Sequence, residues 1–423
     1  MSYKRLGDYI IEKVEFNDGN KYKLLQGVSN NKYFQKAKTN IIGIDLAKYR
    51  VAHHNQFVFN RATTRNGDKI SIALRKGESC IVSPSYRIFE VRDENLLHPD
   101  YLQLWFTRPE FDRYARFKSH GSAHEFFDME EMCEVELPIP PIEEQRQIVA
   151  QYQSITNKIK VNEQICEKLE ATAQALYKHW FVDFEFPYSP PLEGCPQDGV
   201  VAGKPYKSSG GQMVWNEELG KEIPEGWEVG TIANLVDTQY GFTDIANPNK
   251  GTAKFIRITD VVGKYINWDD VPYCNILTKD IYKYSVEFGD FLISRTGANV
   301  GYGKMIGKHT PLAVFASFLV RLKPKSTVYI SYLYCLIISK FYKDFVLSNS
   351  EGSAQPQANA NILTKMDCLV ATSEEYENFN EEILPIVHFK EILDIQNQKL
   401  TQLQSLLLSR LAVGEEEKRK IMV

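Results

Sequence analysis

Between residues 142 and 184 the packing positions alternate at four- and three-residue intervals: Ile148, Tyr152, Ile155, Ile159, Asn162, Cys166, Leu169, Ala173, Leu176 and Trp180. Nine of these ten can pack, over more than four heptads, which predicts a coiled-coil seam. The polar member, Asn162, is the kind of residue that fixes register at some cost in stability. Pro141 at the start, with Glu143 and Glu144 in the first turn, is the expected punctuation of a helix N-terminus. A helix over 142–184 would be about 60 Å long at about 1.5 Å per residue, the length of a spacer. The same register returns in Phe379, Ile383, Ile386, Lys390, Leu393, Asn397, Leu400, Gln404, Leu407 and Leu411. There seven of ten positions are apolar, and Pro385 is expected to start or kink the regular part.

Outside these helices the pattern is that of mixed globules. Short apolar runs such as Ile41-Ile42-Gly43-Ile44 and Cys80-Ile81-Val82, bounded by Asn, Gly and Lys, predict strands. Pro99 to Phe117 carries Tyr101, Leu104, Trp105, Phe111 and Tyr114 at helical spacing, a stripe read as core packing. Residues 101–176 recur at 332–407 with a constant offset of 231. Tyr101-Leu102 answers Tyr332-Leu333, Gly121-Ser122-Ala123 answers Gly352-Ser353-Ala354, and Glu143-Glu144 answers Glu374-Glu375. So long a period is no solenoid repeat; it implies two copies of a whole domain with its helix, in pseudo-twofold arrangement. Twofold symmetry is how proteins meet two separated half-sites on duplex DNA. The expected division is a first domain at 1–140, a long helix at 141–185, a Pro/Gly-rich connector at 186–221, a second domain at 222–372, a second helix at 373–414 and a charged tail at 415–423.

Composition changes this picture little. The 423 residues, 43% hydrophobic and 25% charged, are those of an ordinary globular protein of two to four domains. No apolar run approaches about 18 residues and Met1-Ser2-Tyr3-Lys4-Arg5 has no signal character, so no membrane association and a cytoplasmic address are expected. The seven scattered cysteines include no Cys-x-x-Cys pair, which supports neither a disulfide framework nor a zinc ribbon. Charge matters more through its distribution than through the net value of −4. Residues 30–76 hold ten Lys or Arg against Asp45 and Asp68, and residues 291–325 hold six with no acid. Such local basic faces attract phosphate while the acids cluster elsewhere.

Catalytic signatures fail one by one. Ser189-Pro190-Pro191-Leu192 approaches an amino-methyltransferase loop, but Leu192 cannot stack on a flipped base and no Gly-rich cofactor loop precedes it. Gly297 to Lys304 is one residue too long for a phosphate loop, with Met305 where a magnesium-binding hydroxyl belongs. His120 and His124 lack the glutamate placement of a zinc protease, and Glu416-Glu417-Lys418 lies in a charged terminus. No catalytic residue, metal or cofactor is therefore assigned.

What remains suits recognition. Phe291 to Ser294 reads as a strand delivering Arg295 into a loop with Thr296 and Gly297, and Lys304 and Lys308 lie beyond. Arginine can donate two hydrogen bonds to guanine, and glycine lets backbone approach phosphate. In the first copy Asn60, Arg61, Arg65 and Lys69 form a comparable polar loop, with Lys36 and Lys38 in the same basic block. Ser119, Ser122, Ser353 and Gln355, in or beside the duplicated Gly-Ser-Ala segment, suit backbone or phosphate contacts.

Four stretches in order resemble the specificity subunit of type I restriction-modification systems. They are Leu137-Pro138-Ile139-Pro140-Pro141-Ile142-Glu143-Glu144-Gln145, Leu176-Tyr177-Lys178-His179-Trp180-Phe181-Val182-Asp183-Phe184, Ile223-Pro224-Glu225-Gly226-Trp227 and Gly352-Ser353-Ala354-Gln355-Pro356-Gln357-Ala358-Asn359. The resemblance implies an α+β fold: two α/β target-recognition domains separated by two long helices paired as an antiparallel coiled coil. It implies double-stranded DNA, two modification (methyltransferase) subunits and motor-nuclease restriction subunits as partners, with Glu143, Glu144, Gln145, Tyr177, Trp180 and Phe181 as partner-binding residues. Leu369-Val370-Ala371-Thr372 lacks the prolines that precede the first helix, which makes asymmetric subunit contacts an expectation. The rival readings are a stand-alone methyltransferase, which would bind a nucleoside cofactor by itself, and a regulatory DNA-binding protein, which would not co-purify with a methyltransferase.

Overall fold

The computed structural model describes residues 3–37, 44–62, 69–119, 125–188, 204–352 and 356–411. The chain forms two compact units, Met1–Lys160 with Lys399–Val423, and Val161–Gln398.

In the first unit the strand Gln56–Asn60 lies inside an antiparallel sheet, between Tyr86–Val91 and Ile72–Leu74, with Ile10–Glu12 beyond Tyr86–Val91. Phe57 stacks on Phe89 across this sheet at 4.9 Å, and Phe106 meets Phe57 edge-on at 5.5 Å. All three are completely buried, as aromatic surface of this size requires. Phe106 comes from the stretch that carries the aromatic stripe, which packs in the core as read and folds as two helices, Pro99–Thr107 and Pro109–Lys118. The break lies at Arg108, held extended (φ −71°, ψ 139°) because a residue preceding proline is driven out of the helical region. Cys80–Val82 is a strand, while residues 41–43 lie outside the described segments.

The second unit repeats the design. Its sheet runs Val236–Tyr240, Leu319–Pro324, Phe291–Ser294, Gly303–Met305, again antiparallel throughout. The helices Pro99–Thr107, Pro109–Lys118, Met129–Cys133 and Ile142–Phe181 recur as Ile330–Ile338, Lys340–Asn349, Ala360–Thr364 and Ser373–Arg410, each starting 231 residues later. The break at Arg108 returns at Ser339 without a proline: the Ser339 side chain caps the next helix by accepting from the Tyr342 N–H. One joint is thus built with two chemistries. The expected connector is folded at both ends. Phe186 and Tyr206 stack at 4.5 Å in the core of the second unit, and Met213–Asn216 pairs with Lys221–Pro224 as a hairpin.

The two long helices span 40 and 38 residues, about 60 and 57 Å at about 1.5 Å per residue. The first ends at Phe181, three residues before Phe184, whose left-handed φ of 62° turns the chain away. The second starts at Ser373 and runs through Pro385, which sits on an exposed position where water can reach the carbonyl left without a donor. Each helix start is fastened to the chain before it. Gln145, fully buried, donates to the carbonyls of Leu96 and Pro140 and accepts from the His98 N–H. Its counterpart Tyr376 does the same with a hydroxyl, donating to Leu369 O and accepting from Ala371 N–H, so the missing prolines are replaced by a phenol anchor.

Within each unit the helices run antiparallel. In the second unit Asn162, Cys166, Glu170 and Trp180 meet Asn397, Asp394, Lys390 and Phe379 in descending order; in the first, Thr156 meets Gln404. Asn162 is completely buried and its amide donates to Asn397 and Gln396, both at 2.8 Å. At the 231 offset the counterparts of Asn162 and Asn397 are Leu393 and Cys166, so the duplication holds one amide layer here and not two. A single polar layer specifies one register. Asn162→Leu is therefore expected to destabilise the chain by about 1–3 kcal/mol, through the desolvated Asn397 amide. The double change Asn162→Leu, Asn397→Leu should recover most of that loss in urea unfolding. A double variant no more stable than the single one would show that the amide layer does not set the seam.

Candidate nucleic-acid interface

The strand registers superimpose two arginines. Phe57 and Phe59 pair with Leu74 and Ile72, while Phe291 and Ile293 pair with Met305 and Gly303; these partners lie 231 residues after Leu74 and Ile72, and the strand itself lies 234 after its counterpart. Asn60 N–H donates to Ser71 O and Ser294 N–H to Tyr302 O, both at 2.8 Å. Arg61 and Arg295 are therefore the same position, the first residue beyond the strand. The frame continues: the Arg61 carbonyl accepts from Phe127 N–H and the Arg295 carbonyl from Ala358 N–H, each at 2.8 Å. Ala62 bridges Phe126 as Thr296 bridges Gln357. Each arginine leaves a rigid sheet beside the start of a short capped helix.

Their electrostatics differ. Arg61 lies over the Phe126 ring at 4.9 Å and pairs with Asp128 at 3.2 Å. Asp128 also takes two hydrogen bonds from Arg87, at 2.6 and 3.0 Å, and one from Met129 N–H. Burial opposes ionisation there, but the Arg87, Met129 and Arg61 donors outweigh it and hold the carboxyl at about 2. Arg295 lies over the Tyr240 ring at 4.9 Å, and Tyr240 is fixed in turn by the Ala360 N–H donating to its hydroxyl at 3.1 Å. The residue aligned with Asp128 is Asn359, a neutral amide that caps its helix through the Ile362 N–H. Among the described residues no carboxylate lies within 4 Å of the Arg295 guanidinium, and its buried Nε has no hydrogen-bond partner.

The other expected DNA contacts divide four ways. Thr296 and Gly297 stand with Arg295; Gly297 has a φ of 75°, which favours glycine, and open space where a Cβ would be. Asn60 accepts from Ala62 N–H, Lys36 and Lys69 are exposed, and Ser119 ends its helix with its hydroxyl on Ala115 O. Lys38, Arg65, Ser122, Ser353 and Gln355, like His120 and His124, lie outside the described residues.

Lys304 and Lys308 are engaged elsewhere. The Lys304 ammonium donates to Gly263 O and Lys264 O, and desolvation, then Lys390, push it down to about 8. It lines a cavity of about 810 Å³ with Cys166, Glu170, Tyr334 and Asp394. The Lys308 N–H is held by Glu391, and its ammonium lies over Phe288.

The acid-free stretch 291–325 is not acid-free in space. Arg321 is buried on Asp290 at 3.4 Å and Lys323 pairs with Glu287 at 2.8 Å. Of the residues expected to bind partners, Glu143 is exposed and paired with Arg146. Glu144 is half-buried at the helix start, and Tyr177 packs partly buried against Tyr332. Gln145, Trp180 and Phe181 are 0%, 4% and 2% exposed, so their side chains are interior anchors of this chain.

Asp128, Arg87, Tyr240 and Asn359 were not read from the sequence. The 231 offset aligns Asp128 with Asn359, and following it past the Gly-Ser-Ala segment would have found that difference. No sequence signal pairs Arg87 or Tyr240 with the loops. Among the described residues no group of three or more His, Cys, Asp or Glu side chains is placed to hold a metal ion, and no helix is long and apolar enough to cross a membrane.

Comparison with known proteins agrees with this architecture. The type I restriction modification DNA specificity domain matches residues 4–171 and 224–405. The MjaIX specificity subunit of a type I restriction enzyme from Methanocaldococcus jannaschii is 23% identical, over 75% of this chain and 68% of its own. The HindI specificity subunit from Haemophilus influenzae is 23% identical over 92% of both chains. A crystal structure of the type I restriction-modification S subunit from M. genitalium shares the fold, with a TM-score of 0.55 at 12% identity over 98% of this chain and 96% of that one.

Proposed function

This chain belongs to the family of type I restriction-modification DNA specificity subunits, and from that premise we propose that each of its two domains reads one half of a split DNA target. The observation that carries the reading is the repeated arginine frame. Arg61 and Arg295 leave equivalent strands with the same carbonyl held by the same loop position. On that rigid base a guanidinium without a counter-ion, as at Arg295, is suited to the paired acceptors of a guanine edge, while in the first domain exposed Lys36 and Lys69 are suited to phosphates.

In this reading the chain recognises double-stranded DNA without carrying out chemistry. It is divided for this role as domains at 1–140 and 222–372 with helical segments at 141–185 and 373–414, and the helix length sets the number of unread base pairs between half-sites. The methyl-transfer groups come from two modification subunits, and motor-nuclease subunits join the same complex in the cytoplasm. Exposed Glu143 and its neighbours at the helix start would contribute to docking.

The test is to map methylated bases in cells that express the chain with its modification subunit. A two-part motif with a fixed gap is expected. Removing whole turns from both helices should shorten the gap and keep both halves. Methyl transfer by the purified chain alone, or an unchanged gap in the shortened protein, would defeat the corresponding part of the reading.

A further inference from the structure

We propose that the residue capping the short helix beside each arginine, Asp128 in one copy and Asn359 in the other, decides whether that arginine is available to a base. Arg295 is then the specificity-determining side chain of the second domain, while Arg61 is held back in the first. This rests on the reading of the chain as a DNA specificity subunit and deepens it to single residues.

The two positions are matched closely enough for one substitution to matter. Each arginine carbonyl accepts from the residue just before the cap, Phe127 or Ala358, at 2.8 Å, and each cap opens a helix of five residues. In the first copy the cap is a carboxylate that stays ionised at any pH well above about 2, and Arg61 and Arg87 both donate to it. In the second copy the cap is an amide. The residue aligned with Arg87 is Val320, which faces Ile293 across the sheet as Arg87 faces Phe59. Both the anion and the competing cation are gone.

Arg295 is instead positioned by the Tyr240 face, a contact that orients the guanidinium without using its N–H donors. Among the described residues those donors make no hydrogen bond. A group so placed can offer its donors to a planar pair of acceptors from outside the chain. Guanine O6 and N7 supply that pair, and so do two oxygens of a phosphate. The two sources differ in consequence, because only the base contact discriminates sequence.

The test uses the full chain assembled with its modification subunits, and selects bound duplexes from a random-sequence library at several salt concentrations. Asn359→Asp should fold, since aspartate caps helices as well as asparagine and Asp128 already does so at the matching position; thermal unfolding verifies this. Its new carboxylate should capture Arg295. The preference for one guanine in one half-site should then fall by about 5- to 150-fold, with the other half-site untouched. Arg295→Lys, which keeps the charge but not the planar fork, should lose the same preference.

Asp128→Asn should act in the other half-site only and steepen the log–log salt dependence by about one unit, by freeing a cation. The proposal is overturned if Asn359→Asp keeps the guanine preference. It is also overturned if Arg295→Lys leaves sequence preference intact and weakens all duplexes alike, the behaviour of a phosphate clamp. If the unaltered protein selects no two-part motif, the specificity reading itself falls, an outcome recognisable before any variant is compared.

Discussion

Replacing Asp112 by alanine is expected to destabilise the first unit by about 3–5 kcal/mol, a large part of the roughly 5–15 kcal/mol that holds a typical domain folded. Asp112 and Lys32 form a buried ion pair, 7% and 9% exposed. The Asp112 carboxylate also accepts from the Ile70 N–H at 3.0 Å, and the lysine donates to Ile70 O at 2.7 Å. Burial pushes the Lys32 pKa down and Asp112 opposes that shift, so removing the acid leaves an uncompensated ammonium in the interior. Changing both residues to apolar ones of similar size should be far milder than either single change, because the desolvation penalty then disappears. Urea unfolding of the single and double variants measures this, and a loss below about 1 kcal/mol for Asp112→Ala would contradict it. The pair belongs to the first copy alone. At the 231 offset Asp112 is answered by Lys343, whose ammonium lies over the Tyr302 ring at 3.4 Å.

Alkaline pH should destabilise the chain from the point where free cysteine thiols begin to lose their protons. Burial raises the thiols of Cys80, Cys166 and Cys274 to about 11 and that of Cys368 to about 12. In the unfolded chain these groups lose their protons near the ordinary value of about 9. Between about pH 9 and 11 the unfolded state therefore binds fewer protons than the folded one, and stability falls as pH rises. Cys80, which is 0% exposed, contributes to this loss, and the other thiols add in the same direction. The hydroxyls of Tyr342 and Tyr376, also pushed up by burial, join above about pH 10. Urea midpoints across pH 7 to 11 should be flat at first and then drop steeply. A flat profile through about pH 10.5 would mean that these thiols ionise in place.

The periodic parts of the molecule were legible because their chemistry is local. A heptad stripe, a proline with two acids at a helix start and a constant offset of 231 depend only on neighbours along the chain, and the long helices and duplicated elements follow them. Two features went beyond what spacing shows. The aromatic stripe packs in the core as read but divides at Arg108, the residue before Pro109, and the expected connector is folded at both ends, where Phe186 and Tyr206 are buried.

The candidate site divides in the same way. That Arg295 ends a strand and that Arg61 lies in a polar loop was visible in the order of residues. Which arginine carries a counter-ion was not, because Asp128 lies 67 residues from Arg61 in the chain and Tyr240 is brought to Arg295 by sheet pairing. Nor does a stretch without acids stay a basic face once Asp290, Glu287 and Glu391 fold against it. Sequence by itself determined two copies, two helices and the strand that delivers Arg295, since these rest on periodicity and identity. Only the tertiary structure decided which charges remain unpaired, because a charge is neutralised by whatever lies within a few ångströms of it, whatever its distance along the chain.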